Sequence, residues 1–196
     1  IIAEGEPSSE DLEQFKDHLA LMSKELERCG NIVSGLLSFS RESPVQYREI
    51  DLNQILLAAI LLTRHKMKLR NVDLIIRLYP DLLMILGNDR ELQQCFLNLI
   101  FNAIEAMPDG GQLKLISKLA NDGKNVCIEI HDTGYGIPKE NLDHIFDPFF
   151  TTKREGEGTG MGLPIVYGVV KNHRGDITID STEGKGSSFI LNFPAL

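Results

Sequence analysis

The sequence lacks the features that mark nucleic-acid-binding, zinc-binding and membrane-spanning chains. Its net charge is −8 in 196 residues with no basic stripe, so nucleic acid is not an expected partner. Cys29, Cys95 and Cys127 show no C-x-x-C spacing, which argues against a structural zinc site and fits a reduced, cytoplasmic compartment. No apolar run reaches the roughly 18 residues that a membrane-spanning helix needs, so no membrane contact is expected from this chain.

Two common nucleotide-binding loops are also absent. Glycines stand at positions 156, 158, 160 and 162, just before an apolar run, and suggest a close approach of backbone to a phosphate at a helix N-terminus. No lysine followed by Ser or Thr comes after them, as a P-loop requires. Counted from Gly158, the last glycine of the dinucleotide fingerprint would fall on Leu163. Taken alone, the stretch fits a flexible structural loop as well as a phosphate site.

The first part of the chain has a helical pattern of its own. Residues 1–8 are expected to be a frayed or cut end, and residues 9–41 one long helix. Its apolar residues recur in steps of three and four, at Leu12, Phe15, Leu19, Met22, Leu26, Cys29, Val33 and Leu36. This narrow heptad stripe predicts a helix of a dimeric bundle, with packing on its own domain as the alternative. Residues 42–48, interrupted by Pro44, are the expected linker to a domain at 49–196.

The rest of the chain alternates helical and strand patterns, which predicts an α/β two-layer sandwich with a mixed sheet. Helical spacing covers 52–69, 89–107 and 163–173, and a short helix is expected at 141–146. Strand patterns cover 71–79, 112–119, 125–131, 176–180 and 188–193. Residues 147–161 are expected to form a long polar, glycine-bearing loop.

Two further motifs supply polar groups for a ligand. Asn98 and Asn102 lie one helical turn apart in an apolar helix, where buried amides need partners. They either cap buried backbone or offer oxygens to a hard cation such as Mg²⁺. The segment HDTGYGIP, 131–138, ends a strand on Asp132, and Gly134 and Gly136 permit a tight turn there. It is either an ordinary aspartate turn or the wall of a binding pocket.

With these motifs in this order, the sequence resembles the catalytic and ATP-binding domain of sensor histidine kinases. That domain belongs to the ATPase superfamily shared with gyrase, the Hsp90 chaperone and the mismatch-repair ATPases. NLIFNAIEAM (98–107) resembles the N box, DTGYG (132–136) the first glycine box, FDPFFTTK (146–153) the F box and GTGMGL (158–163) the second glycine box. The resemblance covers residues 10–196. It implies a Bergerat-type fold, a mixed sheet with helices on one face, preceded by a long N-terminal helix.

The resemblance implies ATP and Mg²⁺ as ligands and gives roles to the matching positions. Asn102 is expected to bind Mg²⁺, with Asn98 close to the phosphates. Asp132 is expected to accept a hydrogen bond from the adenine amino group. Gly134 and Gly136 are expected to let backbone approach the purine.

The remaining implied roles concern the second half of the domain. Thr152 and Lys153 are expected to help place the γ-phosphate, and Ser187 stands near the adenine, where the family often has a threonine. The segment 146–163 is expected to be a mobile lid over the nucleotide. The other expected nucleotide contacts are Ile137, Phe146, Gly158, Thr159, Gly160, Met161, Gly162 and Leu163.

The resemblance further implies transfer of the γ-phosphate to a histidine, and from there to the aspartate of a response-regulator receiver domain. None of the five histidines fits the accepting position, and His18, followed by Leu19 rather than an acidic residue, is expected to be a solvated helix residue. The chain is therefore expected to begin after the histidine helix. In the full-length protein it is expected to form a homodimer through its N-terminal helix, with any membrane anchor in missing N-terminal segments.

Two positions depart from patterns in the superfamily. Glu105 stands where many relatives carry a lysine, so a phosphate contact is either missing or supplied by Lys153. True ATPases carry a glutamate four residues before the metal asparagine, but position 98 holds an amide, which cannot act as a general base. The site is therefore expected to hold ATP without hydrolysing it quickly. A non-kinase ATPase and a non-catalytic nucleotide-sensing module are the alternatives.

Overall fold

The computed structural model describes residues 12–16, 18–19, 22, 26, 30, 47–120, 123–153 and 158–196. The described residues from 12 to 30 are α-helical and exposed, and His18 is exposed among them, as predicted. The five described apolar residues of the heptad stripe remain uncovered, from 48% exposed at Leu12 to 73% at Leu26. The rest of the predicted helix at 9–41 lies outside the described residues, so its dimerisation stays a prediction.

Seven strands and three α-helices follow in the part of the chain described from residue 47 onward. The helices are α1 (Leu52–Leu69), α2 (Asp89–Glu105) and α3 (Gly162–Asn172). The strands are β1 (Arg48–Ile50), β2 (Val72–Arg77), β3 (Ile85–Gly87), β4 (Gly111–Leu119), β5 (Asn125–Asp132), β6 (Asp176–Thr182) and β7 (Gly186–Pro194). No helix among the described residues is long and apolar enough to cross a membrane.

The main sheet has five strands in the order β2-β4-β5-β7-β6. Strands β2 and β4 are parallel, and the other neighbours are antiparallel, so the sheet is mixed. Alternate residues of the central strands, such as Leu113, Ile128 and Leu191, point into a core that also contains Phe96 of α2 and Val170 of α3. Burying this apolar face against the helices stabilises the two layers. The predicted two-layer sandwich with a mixed sheet is confirmed.

The helix ends follow ordinary capping rules except at α3. The Asp51 carboxylate accepts a hydrogen bond from the Asn53 N–H at the start of α1, and the Asn88 side chain accepts from two backbone N–H groups at the start of α2. The N-cap of α3, Met161, provides no side-chain hydrogen bond. The first turn of α3 therefore keeps N–H groups that are available to a ligand.

The two short strands β1 and β3 were not predicted from the sequence. Strand β1 pairs antiparallel with β3, and the Arg48 guanidinium contacts the Asp89 carboxylate at 2.6 Å. The Tyr47 hydroxyl donates to the carbonyl of Asn172 at 3.1 Å. Tyr47 and Arg48, which fall within the predicted linker 42–48, thus contact the domain directly.

The short helix predicted at 141–146 is not found. The structure has a 3-10 turn at Lys139–Asn141, followed by further turns to residue 146. Successive i to i+3 hydrogen bonds explain the difference, because the N–H groups of Asn141, His144 and Asp147 each bond to the carbonyl three residues earlier.

A buried histidine joins α3 to the start of α2 and predicts a pH-dependent stability. His173 is 4% exposed, its Nε2 accepts from the Asn88 N–H at 2.9 Å, and its Nδ1 donates to the Val169 carbonyl at 2.7 Å. Burial lowers the pKa of His173, although the Val169 carbonyl and the Glu91 carboxylate act to raise it. Near pH 6.5 the His173 imidazole therefore binds a proton less readily in the folded chain than in the unfolded chain.

We expect the free energy of unfolding to fall between pH 7.5 and 5.5 by about 1 kcal/mol more in the wild type than in His173→Gln. Urea unfolding of both proteins at the two pH values measures this difference. Equal pH slopes would show that His173 is protonated equally in the folded and unfolded chains.

Candidate functional site

A cavity of about 950 Å³ opens beside the N-terminus of α3 and the last turns of α2. Its volume suits a ligand of drug or cofactor size. The sequence-predicted residues that line it are Asn102, Asp132, Gly136, Ile137, Thr152, Lys153, Gly158, Thr159, Gly160, Gly162, Leu163 and Ser187. Asn98, Gly134, Phe146 and Met161, which were also predicted, are not among the described residues lining the cavity. The ligand contacts of both groups stay predictions.

Asp132 lies at the end of β5 with one carboxylate oxygen held by the backbone. Its Oδ1 accepts from the N–H of Gly134 at 2.9 Å and of Ser187 at 3.3 Å. Burial raises the pKa of Asp132, against the effect of these two N–H groups and of nearby His131. Within the described part of the chain, no group donates to Oδ2. The carboxylate therefore has one fixed oxygen and one that is available to a donor in the cavity.

The glycines beside the cavity are required by close contacts within the protein. Gly136 has φ +70°, and a Cβ there would lie 2.1 Å from the Thr182 carbonyl oxygen. Gly160 has φ +64°, and a Cβ there would lie 2.3 Å from the backbone carbon of Phe149. The Phe149 N–H also donates to the Gly160 carbonyl at 3.0 Å. Backbone contacts between Gly160 and Phe149 thus join the second glycine box to the F box.

A matched pair of substitutions tests this packing. Gly160→Ala would place a methyl group inside the Phe149 backbone and strain a left-handed residue, at a cost of about 1–2 kcal/mol for the conformation alone. In Gly162→Ala the new Cβ would find its nearest neighbour, Asn102 Nδ2, at 3.8 Å, an ordinary contact. We expect thermal melting to show a clear loss of stability for Gly160→Ala only, and equal melting temperatures would contradict the contact.

The two asparagines of α2 have different surroundings. The Asn98 Nδ2 donates to the Gly162 carbonyl at 3.3 Å, and its Oδ1 accepts from the Gln94 side chain at 3.0 Å. Asn98 thus holds α3 against α2, as the backbone-capping alternative expected. Asn102 lines the cavity beside Gly162, and no described residue hydrogen-bonds to its side chain. Its amide oxygen is therefore available to a cation.

A charged wall that the sequence did not predict lies at one side of the cavity. Glu105 Oε1 contacts Lys66 Nζ at 2.8 Å, and Glu105 Oε2 contacts Lys153 Nζ at 2.6 Å. Burial acts to raise the pKa of Glu105, but the hydrogen bonds and charges of the two lysines outweigh it and lower the pKa. Lys66 of α1 and Arg70, the C-cap residue of α1, line the same cavity. No local pattern identifies Lys66, because the contact joins residues far apart in the chain.

The other titratable cluster near Asp132 lies outside the cavity. His131 Nε2 contacts Glu129 Oε2 at 2.9 Å, and His131 Nδ1 lies 2.7 Å from the Ser188 hydroxyl. Lys118 pairs with the same Glu129 carboxylate. None of these residues lines the cavity. His131 is half-buried near the end of β5, with both ring nitrogens bonded.

Residues 87–196 match the family model described as histidine kinase-, DNA gyrase B-, and HSP90-like ATPase. The chain belongs to this family. The fold is that of a histidine kinase ATP-binding domain, as the resemblance predicted. The motifs at Asn102, Asp132 and Gly160 all fall within the matched region.

Two curated proteins similar to this chain are both kinases by name. Sporulation kinase E of Bacillus subtilis is 34% identical over 174 residues, which are 89% of this chain and 23% of that protein. Sensor histidine kinase ZraS of Escherichia coli is 38% identical over 175 residues, 89% of this chain and 37% of that protein. The chain therefore spans well under half the length of these two curated relatives.

Solved structures of the histidine kinase ThkA are similar to this chain. Its catalytic domain, without nucleotide, gives a TM-score of 0.67 at 31% identity, covering 76% of this chain and 95% of that one. ThkA in complex with the response regulator protein TrrA gives a TM-score of 0.76 at 26% identity, covering 98% of this chain and 53% of that one.

Proposed function

We propose that this chain is the kinase core of a sensor histidine kinase, which binds MgATP and transfers its γ-phosphate to a histidine. The observation that carries the proposal is the convergence of Asn102, Asp132 and the second glycine box on one cavity. These three come from separate segments, and each supplies the group that a different part of ATP requires.

The adenine would lie against Asp132, whose free Oδ2 suits the adenine amino group. Ile137, Ser187 and Phe189 line the same cavity and would surround the purine. The phosphates would lie at the N-terminus of α3, where uncapped N–H groups and the helix dipole favour negative charge. Thr152 and Lys153 would then stand beside the γ-phosphate.

Asn102 would supply the protein oxygen for Mg²⁺. The described residues contain no group of three or more His, Cys, Asp or Glu side chains that could hold a metal. This suits Mg²⁺ bound by few protein oxygens together with waters and phosphates. The ion would neutralise phosphate charge in the transfer.

The carboxylates of the site support phosphate transfer over hydrolysis. Position 98 holds an amide that is already bonded to Gly162 and Gln94. Glu105 is the nearest carboxylate to Asn102 on α2, but its two lysine partners lower its pKa and make it a poor base. ATP would persist until an imidazole attacks, and neutral imidazole is an effective nucleophile near pH 7.

The partners proposed are a phosphate-accepting histidine, a receiver-domain aspartate and a second copy of the chain. The exposed heptad stripe at Leu12, Phe15, Leu19, Met22 and Leu26 supports pairing of helices between copies. The solved complex of ThkA with TrrA supports a response regulator as the onward acceptor. We place the dimerisation helix at 9–41, the linker before Tyr47, the ATP-binding domain after it, and the whole in the cytoplasm.

The decisive test uses this chain, γ-labelled MgATP and a separately made helical segment that carries the accepting histidine. Acid-labile label on the added segment, lost with Asn102→Ala, is the expected result. Tight ATP binding without transfer would instead favour the nucleotide-sensing module. Rapid release of free phosphate without the segment would favour a non-kinase ATPase.

A further inference from the structure

Helix α2 carries no basic residue in its last turn, where many members of the family place a lysine. Glu105 holds that position and would by itself repel a polyphosphate. Among the described residues, three cationic side chains nevertheless line the cavity, those of Lys66, Arg70 and Lys153. Two of them are bonded to the two oxygens of Glu105. The positive charge that α2 lacks is therefore present in the cavity wall, where residues outside α2 supply it.

The position of Lys153 shows where this wall lies relative to the phosphate loop. A Cβ on Gly158 would lie 3.1 Å from Lys153 Cδ, so the lysine stem packs on the first glycine of the second glycine box. The Lys153 ammonium is 2.6 Å from Glu105, and the Lys66 ammonium is bound to the other oxygen of the same carboxylate. Lys66 is thereby held close to the glycine box, although it belongs to α1.

Lys66 is positioned from two sides and remains accessible. Its ammonium lies 4.7 Å from the centroid of the Phe101 ring and 2.8 Å from Glu105 Oε1. Its side chain is 39% exposed, on the cavity wall. An ammonium has three donors, so a bond to Glu105 leaves others for a second acceptor. A lysine held in this way is a point charge suited to phosphate oxygens.

We propose that Lys66 is a phosphate-binding residue of this site, supplied by α1 in place of a lysine at position 105. Glu105 acts as the positioning residue that holds Lys66 and Lys153 at the wall. This inference rests on the proposed function, because the ligand that brings phosphates to the cavity is ATP. A polyphosphate shares the ammonium groups with the Glu105 carboxylate when it binds.

The test compares Lys66→Met with Lys68→Met by calorimetric titration with MgATP and with adenosine. Lys68 lies on the same helix, is exposed and does not line the cavity, so its substitution removes the same charge elsewhere. We expect Lys66→Met to weaken ATP binding about ten- to hundredfold, the scale of one hydrogen bond to a charged group. Adenosine binding should stay unchanged in both variants, and Lys66→Arg should restore most of the ATP affinity.

The same substitution in a Glu105→Gln variant separates two explanations for weaker ATP binding. One is loss of a contact between Lys66 and the phosphates, and the other is repulsion of the phosphates by a Glu105 carboxylate that has lost its Lys66 partner. In Glu105→Gln position 105 carries no negative charge, and Lys66→Met added to it should still weaken ATP binding about tenfold relative to Glu105→Gln alone. Equal ATP affinities in that pair, or equal losses for ATP and adenosine, would overturn the proposal. Wild-type protein that binds adenosine and ATP equally would overturn it too. Wild-type protein that binds neither would refute the proposed function on which it rests.

Discussion

Asn102→Ala is expected to reduce phosphate transfer by about two to three orders of magnitude, the scale of losing one preorganised group that stabilises a transition state. The physical reason is that its amide is available to the cavity, beside the N-terminus of α3. Without this oxygen the metal would lose its protein ligand and the phosphates their fixed geometry. The loss should appear in the rate of label transfer from γ-labelled ATP at saturating nucleotide.

Asn98→Ala provides the matched comparison, because it removes the same amide one helical turn away. It would break the bond to the Gly162 carbonyl and loosen α3, at a cost of about 1 kcal/mol of stability. Titration of ATP with and without Mg²⁺ separates the two effects. Asn102→Ala should abolish the affinity gained by adding Mg²⁺, whereas Asn98→Ala should retain it. An Asn102→Ala protein that still responds fully to Mg²⁺ would exclude Asn102 as a ligand.

Most of the fold followed from periodicity. The predicted helix at 52–69 coincides with α1, and the strands of the main sheet lie within a few residues of their predicted positions. Long amphipathic segments repeat their pattern several times, so the signal accumulates. Strands β1 and β3 have only three residues each, which is too short for alternation to be recognised, and they form by pairing between segments far apart in the chain.

Much of the lining of the candidate cavity could be predicted because the motifs that form it are local. Each motif brings its own glycine, amide or carboxylate, and the order of motifs indicated which ones belong together. The division of labour between Asn98 and Asn102 could not be read from spacing, since residues four apart share a helix face only approximately. The packing of α3 determines which asparagine faces the cavity. Asn98 donates a hydrogen bond to the Gly162 carbonyl, whereas Asn102 lines the cavity.

Lys66 shows what lies beyond local patterns altogether. It lies in the last turn of α1, where the helix dipole favours basic residues. Its presence there therefore does not by itself indicate a binding role. Its contact with Glu105 arises only when α1 packs beside α2. Position 105 therefore looks like a lost phosphate contact in the sequence, whereas the folded chain brings a lysine to that position from another helix.

Asp132→Asn is expected to weaken ATP binding about ten- to hundredfold and to shift preference towards GTP. The adenine edge offers an amino donor and the guanine edge an oxygen, so a carboxylate that can only accept favours adenine. The backbone N–H groups of Gly134 and Ser187 require an acceptor at Oδ1. In the Asp132→Asn variant this requirement would place the amide oxygen there and the NH₂ group where Oδ2 now lies. The cavity would then present a donor, which guanine accepts and adenine cannot satisfy.

Titration with ATP and GTP at several pH values tests both parts of this expectation. Burial raises the pKa of Asp132, so ATP affinity should fall as the pH drops through that raised value and the carboxylate gains a proton. The Asp132→Asn variant has no such group, and its ATP affinity should lose this acid dependence. Thr133→Ala is a suitable comparison, because Thr133 is the adjacent residue and does not line the cavity. If the wild type binds the two nucleotides equally, Asp132 does not recognise the base. If Asp132→Asn keeps full preference for ATP, that preference must rest on the apolar walls around Ile137 and Phe189.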